Sequence, residues 1–143
     1  MILRPALIST ALRARPLRST TSSFILSSFA TSSSGPTEYQ KRQMGAKETV
    51  EAAIAGHKVV VFSKSYCPYC KAAKARIGEL DVADVDIYEL DEREDGAEIQ
   101  AYLLDKTKQR TVPNIFISQT HIGGSDDLQA ALRKGTVQEL LAK

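Results

Sequence analysis

The sequence predicts an α/β domain with one mixed sheet of four strands flanked by helices. Residues 59–62 are short, β-branched and apolar, as expected of a strand covered on both faces. Residues 85–90 alternate in polarity and indicate a second strand, and residues 111–117 and 120–122 indicate two more. Helical segments separate or flank these strands, which gives a βαβ unit followed by a ββα unit, with one helix before both.

The helical segments are recognised by the spacing of their apolar residues. A first helix passes through Val50, Ala53 and Ile54 and ends at Gly56. A second links the first two strands, so those strands must be parallel; its periodic residues are Ala72, Ala73, Ala75, Ile77 and Leu80. Residues 96–107 predict a third helix with Ile99, Leu103 and Tyr102 inward. A fourth helix is expected to be capped by Ser125 or Asp126, and a short last one contains Val137, Leu140 and Leu141.

The two cysteines of the chain, Cys67 and Cys70, lie where the first strand gives way to the second helix. Pro68 suits the first helical position, because its missing N–H leaves no helical hydrogen bond unmade. The free N–H groups and positive end of the helix dipole should therefore face the Cys67 sulfur and, with Lys64 upstream, lower its pKa. We expect Cys70, one turn further on, to be an ordinary buried thiol that can form a disulfide with Cys67.

A structural disulfide and a zinc site are the simpler interpretations of this cysteine pair. A disulfide across so short a loop constrains the unfolded chain little and would stabilise the fold weakly. Zinc requires four ligands, and neither His57 nor His121 lies near the cysteines in sequence. Both histidines are expected to be structural, His57 in a surface turn and His121 in a strand. A redox pair is the favoured interpretation, because Cys-x-x-Cys beside a βα unit is typical of redox sites.

Residues 1–37 differ in composition from the rest of the chain. They contain four arginines and many serines and threonines, and the first acidic residue is Glu38. Of the 19 basic residues, 15 therefore remain against 17 acidic ones, a formal charge of −2 that gives no indication of nucleic-acid binding. This composition predicts a transit peptide for the mitochondrial matrix, with a plastid or a tail without targeting function as alternatives. No membrane span is predicted, and residues 38–143 are expected to form the folded domain.

Three sequence blocks together resemble the dithiol glutaredoxins of the Cys-Pro-Tyr-Cys class. They are the run from Lys64 to Cys70, the run Thr111-Val112-Pro113-Asn114, and the run from Gly123 to Asp127. The resemblance extends from about residue 48 to the end and does not include the leader. Thioredoxins share the fold but have Trp-Cys-Gly-Pro-Cys at this place, whereas this chain has no tryptophan.

The resemblance implies a thioredoxin-like fold with Pro113 in the cis form. It also implies an enzyme that uses glutathione to reduce disulfides and protein–glutathione mixed disulfides, with Cys67 as the attacking and Cys70 as the resolving cysteine. Partners would be glutathione and the oxidised proteins, without a metal, and the chain would be a monomer. By the same resemblance, glutathione would be bound by Lys64, Tyr69, Gln100, Arg110, Val112, Pro113, Gly124, Asp126 and Asp127.

Two other functions stay open at this point. One is an iron–sulfur cluster carrier that uses Cys67 and glutathione, and the other is a thioredoxin-type dithiol reductase with a protein electron donor. The chain also departs from the family pattern at two places. Lys108 stands where the family has glycine, and Ser118-Gln119 replaces an Asn-Gly-like turn. Positive φ at Lys108 would cause modest strain.

Overall fold

The computed structural model describes residues 35–143, which form five helices and four strands. The predicted leader lies outside the described residues except for residues 35–37. In chain order the elements are α1 (Glu38–Gly56), β1 (Val59–Ser63), α2 (Pro68–Gly78), β2 (Val85–Glu89), α3 (Gly96–Thr107), β3 (Asn114–Ile117), β4 (Thr120–Gly123), α4 (Ser125–Arg133) and α5 (Thr136–Leu141). The sequence therefore predicted the number, type and order of the elements correctly.

The four strands form one mixed sheet in the order β2-β1-β3-β4. β1 pairs in parallel with β2 and antiparallel with β3, and β3 pairs antiparallel with β4. All five residues of β1 are buried, as expected for a central strand that is covered on both faces. The four-stranded mixed sheet that the sequence predicted is confirmed.

Two hydrophobic clusters pack against the sheet, and alternate residues of β1 contribute to each. Val60 and Phe62 belong to the cluster built from α1 and α3. Val59 and Val61 belong to the cluster built from α2, α4 and α5. Because side chains of a strand point alternately to opposite faces, the uninterrupted apolar run of β1 supplies both clusters at once. The sheet is thus a middle layer between two groups of helices.

Some details of the elements differ from the sequence prediction. The alternating polarity of β2 predicts that its apolar residues are buried. Ile87 is nevertheless 42% exposed, because β2 lies at an edge of the sheet. β3 begins at Asn114, so Val112 and Pro113 precede the strand. The predicted cap of α4 is also wrong: Gly124 is the N-cap, and Ser125 is already the first helical residue.

The two histidines have structural partners. His57 follows α1, and its Nδ1 lies 2.7 Å from a carboxylate oxygen of Asp84. His121 lies in β4, and its Nε2 lies 2.9 Å from the Oδ1 of Asn114. The sequence assigned His57 to a surface turn and His121 to a strand, and both positions agree with the structure. Among residues 35–143, no helix is both long and apolar enough to cross a bilayer.

Candidate active site

The junction between β1 and α2 places Cys67 at the start of a helix. Cys67 is the N-cap of α2, and Pro68 occupies the first helical position, as the sequence predicted. The Cys67 N–H donates to the Lys64 carbonyl (3.0 Å), and the Cys67 carbonyl accepts the N–H of Lys71 (3.1 Å). The backbone of Cys67 is therefore held at both ends, while its half-buried side chain remains open to solvent.

Hydrogen bonds at the helix start lower the pKa of the Cys67 thiol. Partial burial alone would raise this pKa, but the Cys70 N–H, the Cys70 thiol and the Tyr69 N–H outweigh it by hydrogen-bonding to the Cys67 sulfur. The positive charge of Lys64 adds a smaller lowering effect. Helix N–H groups stabilise the thiolate more than the nearby lysine does, because they point directly at the sulfur.

Cys70 has the opposite environment. It is fully buried, and burial raises the pKa of its thiol more than the nearby Lys64 N–H and Ser63 hydroxyl lower it. The Cys67 sulfur raises it further. Both cysteines are free thiols in this structure. The two sulfurs thus differ in chemistry: the outer one ionises readily, and the inner one stays protonated at neutral pH.

A groove of about 360 Å³ lies beside the cysteines. It is bounded by α2, by the segment before β3 and by the start of α4. Six of the residues that the family resemblance assigned to ligand binding line it, namely Tyr69, Val112, Pro113, Gly124, Asp126 and Asp127. Three further residues, Gln109, Thr111 and Ser125, also line it. Three segments that are distant in sequence therefore meet in one concave surface, which has the size of a small-ligand site.

The segment before β3 contributes backbone to this groove. The Val112 carbonyl oxygen lies 4.0 Å from the Cys67 sulfur. The Val112–Pro113 peptide bond is cis, as the family resemblance implied. The residue pairs of β3 with its neighbours begin at Asn114, so the sheet ladder does not use the backbone of Val112. An extended peptide bonded to Cys67 would find this backbone next to it.

The start of α4 is held by Asp127. Its carboxylate accepts the N–H of the N-cap residue Gly124 at 3.0 Å, which is the reciprocal bond of a capping box. Gly123 has φ +118°, and a Cβ atom there would lie 2.4 Å from the carboxylate oxygen of Asp127. Glycine at position 123 is therefore required both by the backbone conformation and by the space that Asp127 occupies. Asp126, the other acidic residue of this turn, is exposed.

Lys64, Gln100 and Arg110 are predicted binding residues that do not line the groove. Gln100 donates from Nε2 to the carbonyl oxygen of Arg110 (3.2 Å), which links α3 to the loop before β3. Arg110 is exposed, and Lys64 is half-buried. The charge of Lys64 acts on Cys67 and also on Asp91. Lys64 therefore acts on the Cys67 sulfur from outside the groove, whereas Gln100 and Arg110 are bonded to each other.

Gln109 and Thr111 line the groove but were not predicted from the sequence. The Gln109 Nε2 donates to the carbonyl oxygens of Pro113 (2.8 Å) and Thr111 (3.0 Å). The Lys108 residue before it has φ +60° and ends α3 in the left-handed conformation. The sequence contained one signal of this turn, since Lys108 stands at a position where glycine was expected.

Sequence comparisons identify relatives of this chain. A sequence model of the glutaredoxin family matches residues 59–122. Glutaredoxin-1 of Rhizophagus irregularis is 52% identical over 96 residues, which cover 67% of this chain and 94% of the relative. Glutaredoxin-2 of Schizosaccharomyces pombe is 49% identical over 98 residues, which cover 68% of this chain and 88% of the relative.

A solved structure supports the same relationship. The crystal structure of the buckwheat glutaredoxin–glutathione complex superposes with a TM-score of 0.68 at 39% sequence identity. The match covers 75% of this chain and 94% of the buckwheat chain. The thioredoxin-like fold that the resemblance implied is thereby confirmed.

Proposed function

Because the chain belongs to the glutaredoxin family and is a glutathione-dependent thiol–disulfide oxidoreductase, we propose that it reduces protein–glutathione mixed disulfides through the Cys67 thiolate. One observation supports this most directly. A thiol of lowered pKa, partly exposed at a helix N-terminus, stands beside a groove of small-ligand size. We assign the chain to the Cys-Pro-Tyr-Cys class of the family on the residues at positions 67–70.

The reaction consists of two thiol–disulfide exchanges. The Cys67 thiolate attacks the glutathione sulfur of the mixed disulfide, and the protein thiolate leaves and takes a proton from water. A second glutathione thiolate then attacks the glutathione sulfur on Cys67, forms glutathione disulfide and releases the Cys67 thiolate. The low pKa of Cys67 helps mainly in this second step, because a thiol of lower pKa leaves faster.

The groove supplies groups that fit the parts of glutathione. The tripeptide has an extended backbone, a carboxylate at each end and one ammonium group. In the proposed complex, the Val112 backbone pairs with the cysteinyl unit, and Tyr69 and Pro113 form the wall. Gly124 lets the ligand approach the start of α4 closely. Asp126 and Asp127 pair with the ammonium of the γ-glutamyl end, next to free helix N–H groups that suit its carboxylate.

We further propose that Lys64, Gln100 and Arg110 attract the glycine carboxylate. Lys64 lies three residues before Cys67, and Arg110 directly precedes the groove residue Thr111, so both positive charges are available next to the groove without lining it. The Gln100 bond to the Arg110 carbonyl fixes the loop on which Arg110 stands. A surface charge of this kind contributes only about 0.2 to 1 kcal/mol to binding, so each should alter KM for glutathione modestly.

A comparison of the two cysteine variants tests the proposed function. Cys67→Ser should abolish glutathione-dependent reduction of a small glutathione mixed disulfide, since a serine hydroxyl is hardly ionised at neutral pH. Cys70→Ser should retain most of this activity but lose the reduction of protein disulfides that need a resolving thiol. If Cys70→Ser is as inactive as Cys67→Ser, the protein is a thioredoxin-type dithiol reductase. Turnover with thioredoxin reductase in place of glutathione would then be expected.

The iron–sulfur alternative has its own measurement. A carrier that holds a cluster through Cys67 and glutathione should show a visible absorption band after anaerobic purification. In the proposed function, the protein purified in this way has no such band and is a monomer. Gel filtration of the same sample with glutathione present measures the oligomeric state directly.

The proposal includes a location for the enzyme. The arginine-rich, acid-free composition of residues 1–37 supports a transit peptide that directs residues 38–143 to the mitochondrial matrix. A plastid remains the alternative destination. In the matrix the enzyme would act on glutathionylated and disulfide-containing proteins, and neither nucleic acid nor a membrane would be a partner.

A further inference from the structure

The turn that leads from β1 to Cys67 is bonded to the loop after β2. The Lys64 carbonyl accepts the Cys67 N–H at 3.0 Å, which closes a β-turn with Ser65 and Tyr66 at its centre. The Asp91 carboxylate accepts two hydrogen bonds from Ser65. Its Oδ1 accepts the backbone N–H at 2.9 Å, and its Oδ2 accepts the hydroxyl. This pair of bonds, the Asp91–Ser65 contact, joins the turn to a residue that is distant in sequence.

The pairing of β1 with β2 brings Asp91 to this turn. The two strands are parallel, and Ser63 lies opposite Glu89 in their register. The Leu90 N–H then donates to the Ser63 carbonyl at 2.8 Å. Asp91 is the next residue, and its side chain reaches Ser65, two residues beyond Ser63. A side chain therefore continues the strand pairing into the turn, where the backbone of β1 has already left the sheet.

The carboxylate of Asp91 suits this contact chemically. The hydrogen bonds from the Ser65 hydroxyl and N–H lower the pKa of Asp91, so the group is ionised at neutral pH. An ionised carboxylate only accepts hydrogen bonds, and Ser65 offers it two donors. Such bonds are stronger than those between neutral groups. Asp91 therefore remains bonded to Ser65 at neutral pH.

The place of the Cys67 sulfur depends on this turn. Cys67 is the N-cap of α2, and the helix N–H groups act on its sulfur only from that position. The same sulfur lies 4.0 Å from the Val112 carbonyl oxygen at the groove. Because hydrogen bonds weaken steeply when their geometry is distorted, a shift of the turn would weaken the stabilisation of the thiolate. It would also move the sulfur relative to the groove.

We propose that Asp91 is a positioning residue of the active site, which holds Ser65 and thereby keeps Cys67 at the start of α2 and beside the groove. Asp91 is not a catalytic residue, because it acts on the sulfur only through the turn. The contact itself does not depend on glutathione. Only the loss of turnover that we expect on removing it rests on the proposed function.

Alkylation by iodoacetamide tests the contact without glutathione, because only the thiolate reacts. Asp91→Ala removes both bonds to Ser65 and should raise the pKa of Cys67, since the sulfur can then move away from the helix N–H groups. At a pH below the pKa of Cys67, the alkylation rate should fall at least about threefold. Turnover with a glutathione mixed disulfide should fall at least about fivefold, since a small misplacement of a reacting group can cost up to about 10²-fold.

Three variants separate the contact from a general effect of charge. Asp91→Asn loses the charge but keeps an oxygen for the Ser65 N–H and offers its amide N–H to the Ser65 oxygen. It should therefore react at least as fast as the parent protein, because loss of a negative charge cannot raise the pKa of Cys67. Ser65→Ala removes the hydroxyl bond alone and should give a smaller loss than Asp91→Ala. Glu92→Gln removes the neighbouring negative charge and should leave the alkylation rate unchanged.

Two results would overturn the proposal. An alkylation rate within about 1.5-fold of the parent value in Asp91→Ala would show that Cys67 keeps its place without the contact. If Asp91→Ala does not fold, the same result in Ser65→Ala has this meaning. Equal rates in Asp91→Ala and Asp91→Asn would show that Asp91 acts through its charge alone. Failure of the proposed function would look different, because glutathione turnover would be missing in the parent protein while the alkylation rates kept the expected order.

Discussion

Gly123→Ala should both destabilise the domain and weaken glutathione binding. The backbone at this position has φ +118°, where a residue with a Cβ atom costs about 1 to 3 kcal/mol. The new Cβ would also lie 2.4 Å from the Asp127 carboxylate oxygen, so that the side chain must move. Moving it breaks its bond with the Gly124 N–H, a cap contact worth roughly 0.5 to 2 kcal/mol. We therefore expect the free energy of unfolding to fall by about 2 to 4 kcal/mol.

Urea unfolding measures the loss of stability in Gly123→Ala, and steady-state kinetics with varied glutathione measures the change in KM for glutathione. Asp127→Asn separates the two, because the amide oxygen can still accept the Gly124 N–H while the negative charge is lost. This variant should keep nearly full stability and raise KM for glutathione about two- to fivefold. Gly45→Ala is the matched control, since its Cβ meets no atom within 4 Å and it lies inside α1. Alanine there should stabilise the protein by about 0.5 to 1 kcal/mol.

One outcome would refute this reasoning about the α4 start. If Gly123→Ala unfolds within about 0.5 kcal/mol of the parent protein, the loop can rearrange without strain. Unchanged KM for glutathione in both Gly123→Ala and Asp127→Asn would show that the γ-glutamyl end binds elsewhere. A loss of stability with unchanged KM would keep the backbone argument and remove Asp127 from the binding site.

Three further predictions concern charge. Lys64→Ala should raise the pKa of Cys67 only slightly, because the lysine charge lowers this pKa less than the helix N–H bonds do. A titration of the ultraviolet thiolate absorbance measures the pKa, and an unchanged value would show that Lys64 does not contribute to it. The hydrogen bond that the His57 ring donates to the Asp84 carboxylate raises the pKa of His57, so the stabilisation by this pair is complete below about pH 6.5 and disappears as the pH rises through the raised value. His57→Gln should thus lower stability at pH about 5.5 more than at pH about 8.5 in urea unfolding, and an equal effect at both would contradict this. Residues 1–37 fused to a fluorescent protein should direct it to mitochondria, and a diffuse cytosolic signal would contradict the transit-peptide prediction.

Sequence features that allow only one local conformation predicted the structure correctly. An apolar β-branched run predicted a central strand, since no other short element buries both faces. Cys67 was placed at a helix start because a strand ends just before it and Pro68 permits only the first helical turn. The lowered pKa of Cys67 was predicted from that placement, whereas the raised pKa of Cys70 follows from its burial. In each case, the local sequence restricts the chain to one conformation.

Side-chain directions in the loops could not be read in the same way. The cap of α4 was assigned to Ser125 or Asp126 by residue preference, but Asp127 reaches back to Gly124 and makes that preference irrelevant. Gln109 turns onto two carbonyl groups of its own loop after Lys108 adopts a left-handed conformation. Whether lysine accepts that conformation depends on packing of the whole loop, which a sequence pattern does not contain.

The turn between β3 and β4 illustrates the same limit. Ser118 and Gln119 both have positive φ values, of 45° and 63°, although neither is glycine or asparagine. A two-residue hairpin needs this backbone to match the twist of its strands. The strand pairing imposes the conformation, and the hydrogen bond from the Ser118 hydroxyl to the Leu140 carbonyl helps to hold it. The hairpin was predictable from its strands and not from its turn residues.

The fold separates the pH dependence of stability from that of catalysis. His57 and Asp84 meet before the first residue of β1, whereas Cys67 follows its last residue. A strand of five residues spans roughly 16 Å, and salt at physiological concentration screens charges beyond about 8 Å. Protonation of His57 therefore changes the stability of the domain without reaching the Cys67 thiolate. The ionisation of Cys67 is determined instead at the start of its own helix, mainly by the N–H groups of Tyr69 and Cys70 and by the Cys70 thiol.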